Sequence, residues 1–223
     1  MTISALLPMK KNSERIKDKN LKLLDGRPLF FYIADTLKKS NIFKNLIVNT
    51  DSNRIKEEVK KRYNNWAVVI DRDINICGDF VSMNKIIASD LGVVDEEHFL
   101  QTHSTNPLLT VKTIKSAIKI YFENLDTYDS LYSVNKIQAR LFDKRFRPLN
   151  HKKNDLIRTQ DLDPIYEENS NIYIFSKASF VKSNKNRIGE NPYLFSIDKN
   201  ESIDIDNKDD FILAEALIKY NSF

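Results

Sequence analysis

The sequence is poor in the residues that mark several common classes of protein. It holds one cysteine, Cys77, in 223 residues, so neither an internal disulfide nor a cysteine-built metal cage can form, which fits a reducing compartment. No apolar run approaches the roughly 18 residues that a membrane span requires. The opening Met-Thr-Ile-Ser-Ala-Leu-Leu-Pro has no basic stretch ahead of its apolar one, so a secretory leader is not expected. Charge of one sign is scarce too. The 35 basic and 31 acidic residues leave +4, spread along the chain and not gathered into the stripe of a nucleic-acid binder. Glycine is reduced to 4 residues, a bias that accompanies abundant Lys and Asn, and no glycine-rich P-loop is present. These absences point to a cytoplasmic protein without nucleic-acid or membrane partners.

What the chain does have is core material. A hydrophobic content of 41% with 10% aromatics excludes a disordered tail or a fibrous repeat. The length suits one domain that buries about 70% of its unfolded surface. The apolar run 3–7, ended by Pro8, reads as a buried parallel strand. Pro28 opens a helix over 29–37. Strands over 46–50, 66–70 and 98–101 then alternate with helices over 52–63, 83–91 and 111–123. Strands over 130–134 and 171–175 flank a charged, Asn-rich stretch without helical period, and a strand over 202–205 with a helix over 209–220 ends the pattern. The alternation predicts an α/β fold: a three-layer, mostly parallel, doubly wound sheet forming a single domain over 1–223, with an inserted β-arm at about 129–175. In such sheets ligands sit beyond the carboxyl ends of the strands, so the loops after Leu7, Thr50, Ile70 and Gln101 are expected to share one cleft.

Three segments carry candidate chemistry. The loop after the first strand offers the cations Lys10, Arg15 and Lys19 with Ser13 and Asn20 as hydrogen-bond donors, a set suited to a triphosphate; a solvated basic loop accounts for its charge equally well. In Ser202-Ile203-Asp204-Ile205-Asp206, two carboxylates two residues apart on a strand share a face and invite a hard divalent cation such as Mg²⁺. The competing role is for Asp206 to cap the helix that starts near Asn207, which is compatible with metal binding. The polar run 101–107 contains His103. No partner for it is visible in the sequence, and a hydrogen-bonded structural role is favoured over a general base. Cys77 and the consecutive Phe30, Phe31 and Tyr32 read as packing.

Taken together, the segments resemble the CMP-sugar synthetases, the acylneuraminate cytidylyltransferases. Those proteins open with Pro-Ala-Arg-Gly-Gly-Ser-Lys-Arg and then Lys-Asn; here Pro8, Ser13, Arg15, Lys19 and Asn20 match in register, Lys10 replaces the arginine and the glycine pair is lost. The resemblance continues through 26–29, 48–51, Arg72 with Asp79 and Ser82, Leu100-Gln101 with 105–108, Arg158 to Asn169, and the 202–206 segment. It implies a nucleotide-diphospho-sugar transferase-like fold and a homodimer whose arm reaches the neighbouring site. The implied reaction is CMP transfer from CTP to a nonulosonic or sialic-acid-like sugar acid, with pyrophosphate released, for surface polysaccharide. By residue-wise carry-over Lys10, Arg15 and Lys19 hold phosphates, Asn20, Arg72 and Ser82 hold ribose and base, Gln101, Arg158, Gln160 and Asn169 lie on the acceptor side, and Asp204 and Asp206 hold Mg²⁺.

One departure bears on the acceptor. Where sialic-acid enzymes present an arginine to the substrate carboxylate, this chain has Glu167 and Glu168, which repel a carboxylate unless Arg140, Arg158 or another subunit compensates. The acceptor is therefore expected to differ from ordinary N-acetylneuraminate. The alternatives are a CTP-dependent nucleotidyltransferase with a non-sialic acceptor, and an Asp-x-Asp glycosyltransferase. The latter normally places its motif mid-domain and lacks the early Ser13-x-Arg15…Lys19-Asn20 loop. A Lys-rich scaffold protein is the bland reading.

Overall fold

A computed structural model of the chain describes residues 2–155 and 157–221. Its centre is a seven-stranded sheet. In chain order the elements are β1 (Ile3–Leu6), the two-residue strands β2 (Leu23–Leu24) and β3 (Arg27–Pro28), α1 (Leu29–Ser40), β4 (Phe43–Thr50), α2 (Asn53–Tyr63), β5 (Ala67–Asp71), α3 (Met83–Asp90), β6 (His98–Gln101), α4 (Val111–Glu123), β7 (Ser130–Ile137), β8 (Ile165–Ser176), α5 (Lys177–Lys182), β9 (Pro192–Ser196) and α6 (Lys208–Asn221). The sheet order is β5-β4-β1-β6-β8-β7-β9. Pairings are parallel from β5 to β6, antiparallel on both sides of β8, and parallel again between β7 and β9.

Strand periodicity divides the core. Along β1, Ile3 and Ala5, followed by Leu7, join the apolar layer under α1, α2 and α4, while Leu6 points to the opposite layer. That second layer packs Leu6, Ile47, Phe99, Tyr173 and Phe175 against Ile87 of α3 and Phe180 of α5. The helices begin where side chains satisfy their first amides: Ser52 accepts from Ile55 N, Ser82 from Asn84 N and Thr110 from Thr113 N. With so little glycine, other residues take left-handed backbone. Asn41 (φ 54°) ends α1, and Asp18 (φ 51°) turns the first loop. No helix among the described residues is long and apolar enough to cross a membrane.

β7 and β8 are longer than the pattern indicated. Their inner halves complete the sheet (Leu131 opposite Ile174). Beyond a register shift between Tyr132 and Val134 their outer halves continue as a ribbon (Val134 opposite Glu168, Ile137 opposite Ile165). The segment joining them carries exposed Phe142, Phe146 and Leu149.

The expected strand at 202–205 does not form. Ser202 lies in a turn, its N donating to Asp198 O (3.1 Å), and the segment bonds outside any ladder: Ile205 N donates to Thr105 O (3.0 Å), Asn171 Nδ2 to Ser202 O (3.2 Å), and, just before it, Thr110 N to the Glu201 carboxylate (3.0 Å). α5 and β9, which the sequence pattern did not announce, lie in the chain between β8 and this segment.

Candidate active site

The carboxyl ends of β1, β5 and β6 open onto one cleft of about 340 Å³, lined by Lys10, Ser13, Lys19, Asn20, Arg72, His103, Asp204 and Asp206 among others. The fourth expected loop, after Thr50, supports the rim: Asp51 Oδ1 accepts from Lys11 N at 2.6 Å.

The first loop is folded by its own polar and apolar anchors. Asn20, nearly buried, donates to Lys10 O (2.9 Å) and accepts from Ser104 Oγ (2.6 Å), tying the loop to the turn after β6. Ile16 enters a third apolar cluster with Leu24, Leu29, Ile205, Phe211 and Ala214. That contact draws the C-terminal segment against the loop although about 190 residues of sequence lie between them. Burial of Ile205 leaves its neighbours Asp204 and Asp206 facing the cleft. Arg15 Nη1 then reaches Asp206 Oδ2 (2.9 Å), and Lys19 Nζ lies 3.6 Å from Asp206 Oδ1 while donating to Ile205 O (2.6 Å). On the opposite rim Lys10 pairs with Asp79 at 2.5 Å, which holds the Asp79 carboxyl below its usual range.

Asp206 is not the helix cap. Asn207 Oδ1 accepts from Asp209 N (2.8 Å) and Asp210 N (3.1 Å), while the Asp210 carboxylate accepts from the amides of Asp206 and Asn207 (2.9 Å each). Neither Asp206 carboxylate oxygen is spent on the helix end, and both face the cations Arg15 and Lys19 instead. Asp204 is half-buried and its Oδ1 is buried without a hydrogen-bond partner. Burial chiefly, opposed by a bond from Thr105 and reinforced by Asp206, raises its pKa. A carboxylate beside a second carboxylate, with an unpartnered oxygen, is a donor set that fits a hard divalent cation completing its shell with phosphate and water. Among the described residues no group of three or more His, Cys, Asp or Glu side chains is placed to hold a metal ion.

Arg72 enters the cleft through a relay. Its Nε and Nη2 donate to Asn49 Oδ1 (2.7 Å) and Asn49 O (2.8 Å), and Asn49 Nδ2 donates to Asp90 Oδ1 (2.6 Å). Asp90 is fully buried, and burial, only partly offset by Asn49 and Arg72, pushes its pKa up to about 7. His103 lines the cleft, but burial with Arg187 and Lys19 nearby lowers its pKa to about 3. It is a neutral group and a very weak base.

Other candidates are placed elsewhere. Ser82 is exposed and caps α3. Gln101 is buried beneath the cleft, with Nε2 on Thr102 O (2.8 Å) and near His103 Nε2 (3.3 Å), and Oε1 accepting from Arg187 Nη1. Arg158 pairs with Asp161 (2.7 Å) and Gln160 O accepts from Gln138, both on the exposed arm. Asn169 is buried in the β7–β8 bulge, accepting from Ser133 Oγ (2.6 Å) and donating to Asn135 (2.9 Å). Sequence reasoning passed over Asn49, Asp90 and Arg187. The first two read as strand and helix positions, and Arg187 sits in an Asn-rich stretch whose only signal is the glycine two residues on.

Comparisons with known proteins cover the same segments. A cytidylyltransferase family model matches residues 4–220. The N-acylneuraminate cytidylyltransferase of Streptococcus agalactiae serotype III (strain NEM316) is 28% identical over 214 residues, 93% of this chain and 51% of that protein. The chain thus spans about half the length of that relative. The CMP-N,N'-diacetyllegionaminic acid synthase of Legionella pneumophila is 28% identical over 245 residues, 99% of this chain and 98% of that one. In structure, a CMP:2-keto-3-deoxy-manno-octonic acid synthetase solved with CTP superposes with a TM-score of 0.75 over 99% of this chain and 100% of that one; at 12% identity the likeness is one of fold. With the family match running from β1 to the last helix, through every segment that builds the cleft, the chain belongs to the cytidylyltransferase family.

Proposed function

We propose that the protein transfers CMP from CTP to a nonulosonic, sialic-acid-like sugar acid and releases pyrophosphate, in the cytoplasm, to supply a donor for surface polysaccharide. The observation that carries this is the convergence of Lys10, Lys19, Asp204 and Asp206 on one cleft at the carboxyl ends of the strands, with Arg15 tied to Asp206 at 2.9 Å.

The acceptor hydroxyl oxygen attacks the α-phosphorus in line, the bond to the bridging oxygen breaks, and pyrophosphate leaves. Little covalent chemistry falls to the protein, so its work is positioning and charge stabilisation. Lys10, Arg15 and Lys19 bind the phosphates, with Ser13 as an added donor, while Asn20 holds the loop in shape. Arg72, fixed by Asn49, faces the ribose and base, with Ser82 at the mouth. Gln101 and Asn169 belong to the acceptor side, and Arg158 and Gln160 act from the arm of a second subunit in a homodimer. Mg²⁺, bound by Asp204 and Asp206, would supply charge neutralisation at the phosphate oxygens. The chain is read as a single nucleotidyltransferase domain with a dimerisation arm at about 129–175.

The test is pyrophosphate release with Mg²⁺ and each nucleoside triphosphate against a panel of nonulosonic and octulosonic acids, N-acetylneuraminate and amino derivatives included. The expected result is release with CTP and one or a few acids other than N-acetylneuraminate, accompanied by the matching CMP-sugar. Release with another triphosphate in preference to CTP, or with none, would contradict the proposal.

A further inference from the structure

We propose that Arg187 is the cation that receives the carboxylate of the acceptor acid, a role resting on the cytidylyltransferase reading above. The register of the sheet sets Tyr173 of β8 directly beside Gln101 at the end of β6. Arg187, from the loop between α5 and β9, lies with its guanidinium carbon 3.6 Å from the centre of the Tyr173 ring, and its Nη1 donates to Gln101 Oε1. An aromatic face and a neutral amide are thus what the group rests on. No carboxylate comes within 4.0 Å of it among the described residues. Glu168 acts on it only through space, its own oxygen being occupied by the Tyr173 hydroxyl.

The arrangement leaves a half-buried positive charge with no carboxylate in direct contact, Glu168 acting on it only from a distance. A charge withdrawn from water is unfavourable unless paired, and burial here already lowers the pKa of Arg187. One of the five N–H donors is taken by Gln101, so others of the fork remain for a planar carboxylate.

The loop is also held in advance of binding. Arg187 N lies 3.4 Å from Asn84 Oδ1, Ser130 Oγ donates to Ile188 O, and the Asp129 carboxylate accepts from Glu190 N (2.8 Å) and Asn191 N (3.1 Å). Gly189 has φ +77°, and a Cβ there would come within 3.0 Å of the Asp129 and Ser130 side chains. A pinned loop presents its arginine without an ordering penalty.

Position decides which anion it serves. The phosphate cations all come from the first loop. Arg187 comes from the loop between α5 and β9 instead and bonds Gln101, which touches His103 of the cleft wall. Both Lys19 and Arg187 lie near enough to His103 to depress its pKa, which places Arg187 beside the cleft wall. The other arginines that could offset Glu167 and Glu168 are engaged on the arm: Arg140 with Ile157 O and Arg158 with Asp161.

The test compares wild type with Arg187→Met and Arg187→Lys, using the panel acid of highest turnover and its carboxamide, with KM read separately for acid and CTP. Arg187→Met is expected to raise the KM for the acid about 30-fold or more with the KM for CTP within about twofold, and Arg187→Lys to recover part of the loss. The carboxamide, already a poor acceptor, should lose little further. A KM for the acid that moves less than about threefold, or a CTP KM that rises in parallel, overturns the assignment while leaving the reaction intact. If Arg187→Met does not fold, Arg187→Lys decides alone: a higher KM for the acid at unchanged CTP KM supports the assignment, and wild-type values oppose it. Absence of turnover with every acid, with CTP still bound, refutes the acceptor reading and this assignment together.

Discussion

Asp90 is an acid kept where no charge belongs. It bonds only Asn49 through one oxygen, and its Oδ2 has no hydrogen-bond partner. With a folded pKa near 7 against about 3.9 in the unfolded chain, the folded state retains a proton between pH 4 and 7 that the unfolded state has lost. Stability tied to that proton is complete below pH 4 and is lost as pH rises through 7. Asp90→Asn keeps an acceptor for Asn49 and has no proton to lose. Urea denaturation should show the variant gaining about 2–4 kcal/mol on wild type between pH 4 and pH 8. A stability difference that is flat across that range would show that Asp90 does not titrate there. The residue scale also shows where sequence reading stops. That Asp204 and Asp206 belong together was legible from their spacing. That Asn207 and Asp210 cap α6 and free Asp206 was not, because several adjacent side chains compete for the same helix end.

At the scale of elements, the parallel half of the sheet was readable because β1, β4 and β6 are short apolar runs bounded by turn residues, and α4 is capped and amphipathic. The 202–205 segment has the same alternation and still is no strand. Alternation reports a two-sided environment, and here Ile205 packs into a helix-lined cluster while the backbone bonds to loop carbonyls and side chains. β9 escaped notice for the converse reason. It is a half-exposed edge strand beginning with a proline, and its apolar run, Tyr193 to Phe195, is only three residues long. The loop before it depends on one glycine. Gly189→Ala is expected to destabilise the protein by about 2 kcal/mol or more, from left-handed strain combined with overlap at Asp129 and Ser130. Chemical denaturation checks this, and a midpoint equal to wild type would mean that the loop is free to move away.

For the molecule as a whole, the cleft is closed by residues from both ends of the chain and is self-neutralised while it waits for ligand. Lys10–Asp79 and Arg15–Asp206 join side chains that are about half exposed, and such pairs contribute about 0–1 kcal/mol each. In the proposed function, exchange of these partners for a metal and a triphosphate would therefore cost little. At the other end of the molecule the arm presents Phe146, 88% exposed, with Phe142 and Leu149 nearby. In the proposed homodimer this face is covered. Light scattering should give about twice the 26.0 kDa chain mass, and Phe146→Asp should shift it toward one chain. A wild-type mass of one chain at micromolar concentration would remove the arm from the account.

The most direct measurement is calorimetric titration of CTP into the protein with Mg²⁺ and with EDTA, repeated for Asp206→Ala. If the cleft is a metal–nucleotide site, removal of the metal weakens CTP by about tenfold or more, and the variant in Mg²⁺ binds as wild type does in EDTA. Equal affinity under all of these conditions would contradict the central claim, since Asp204 and Asp206 would then take no part in holding the nucleotide.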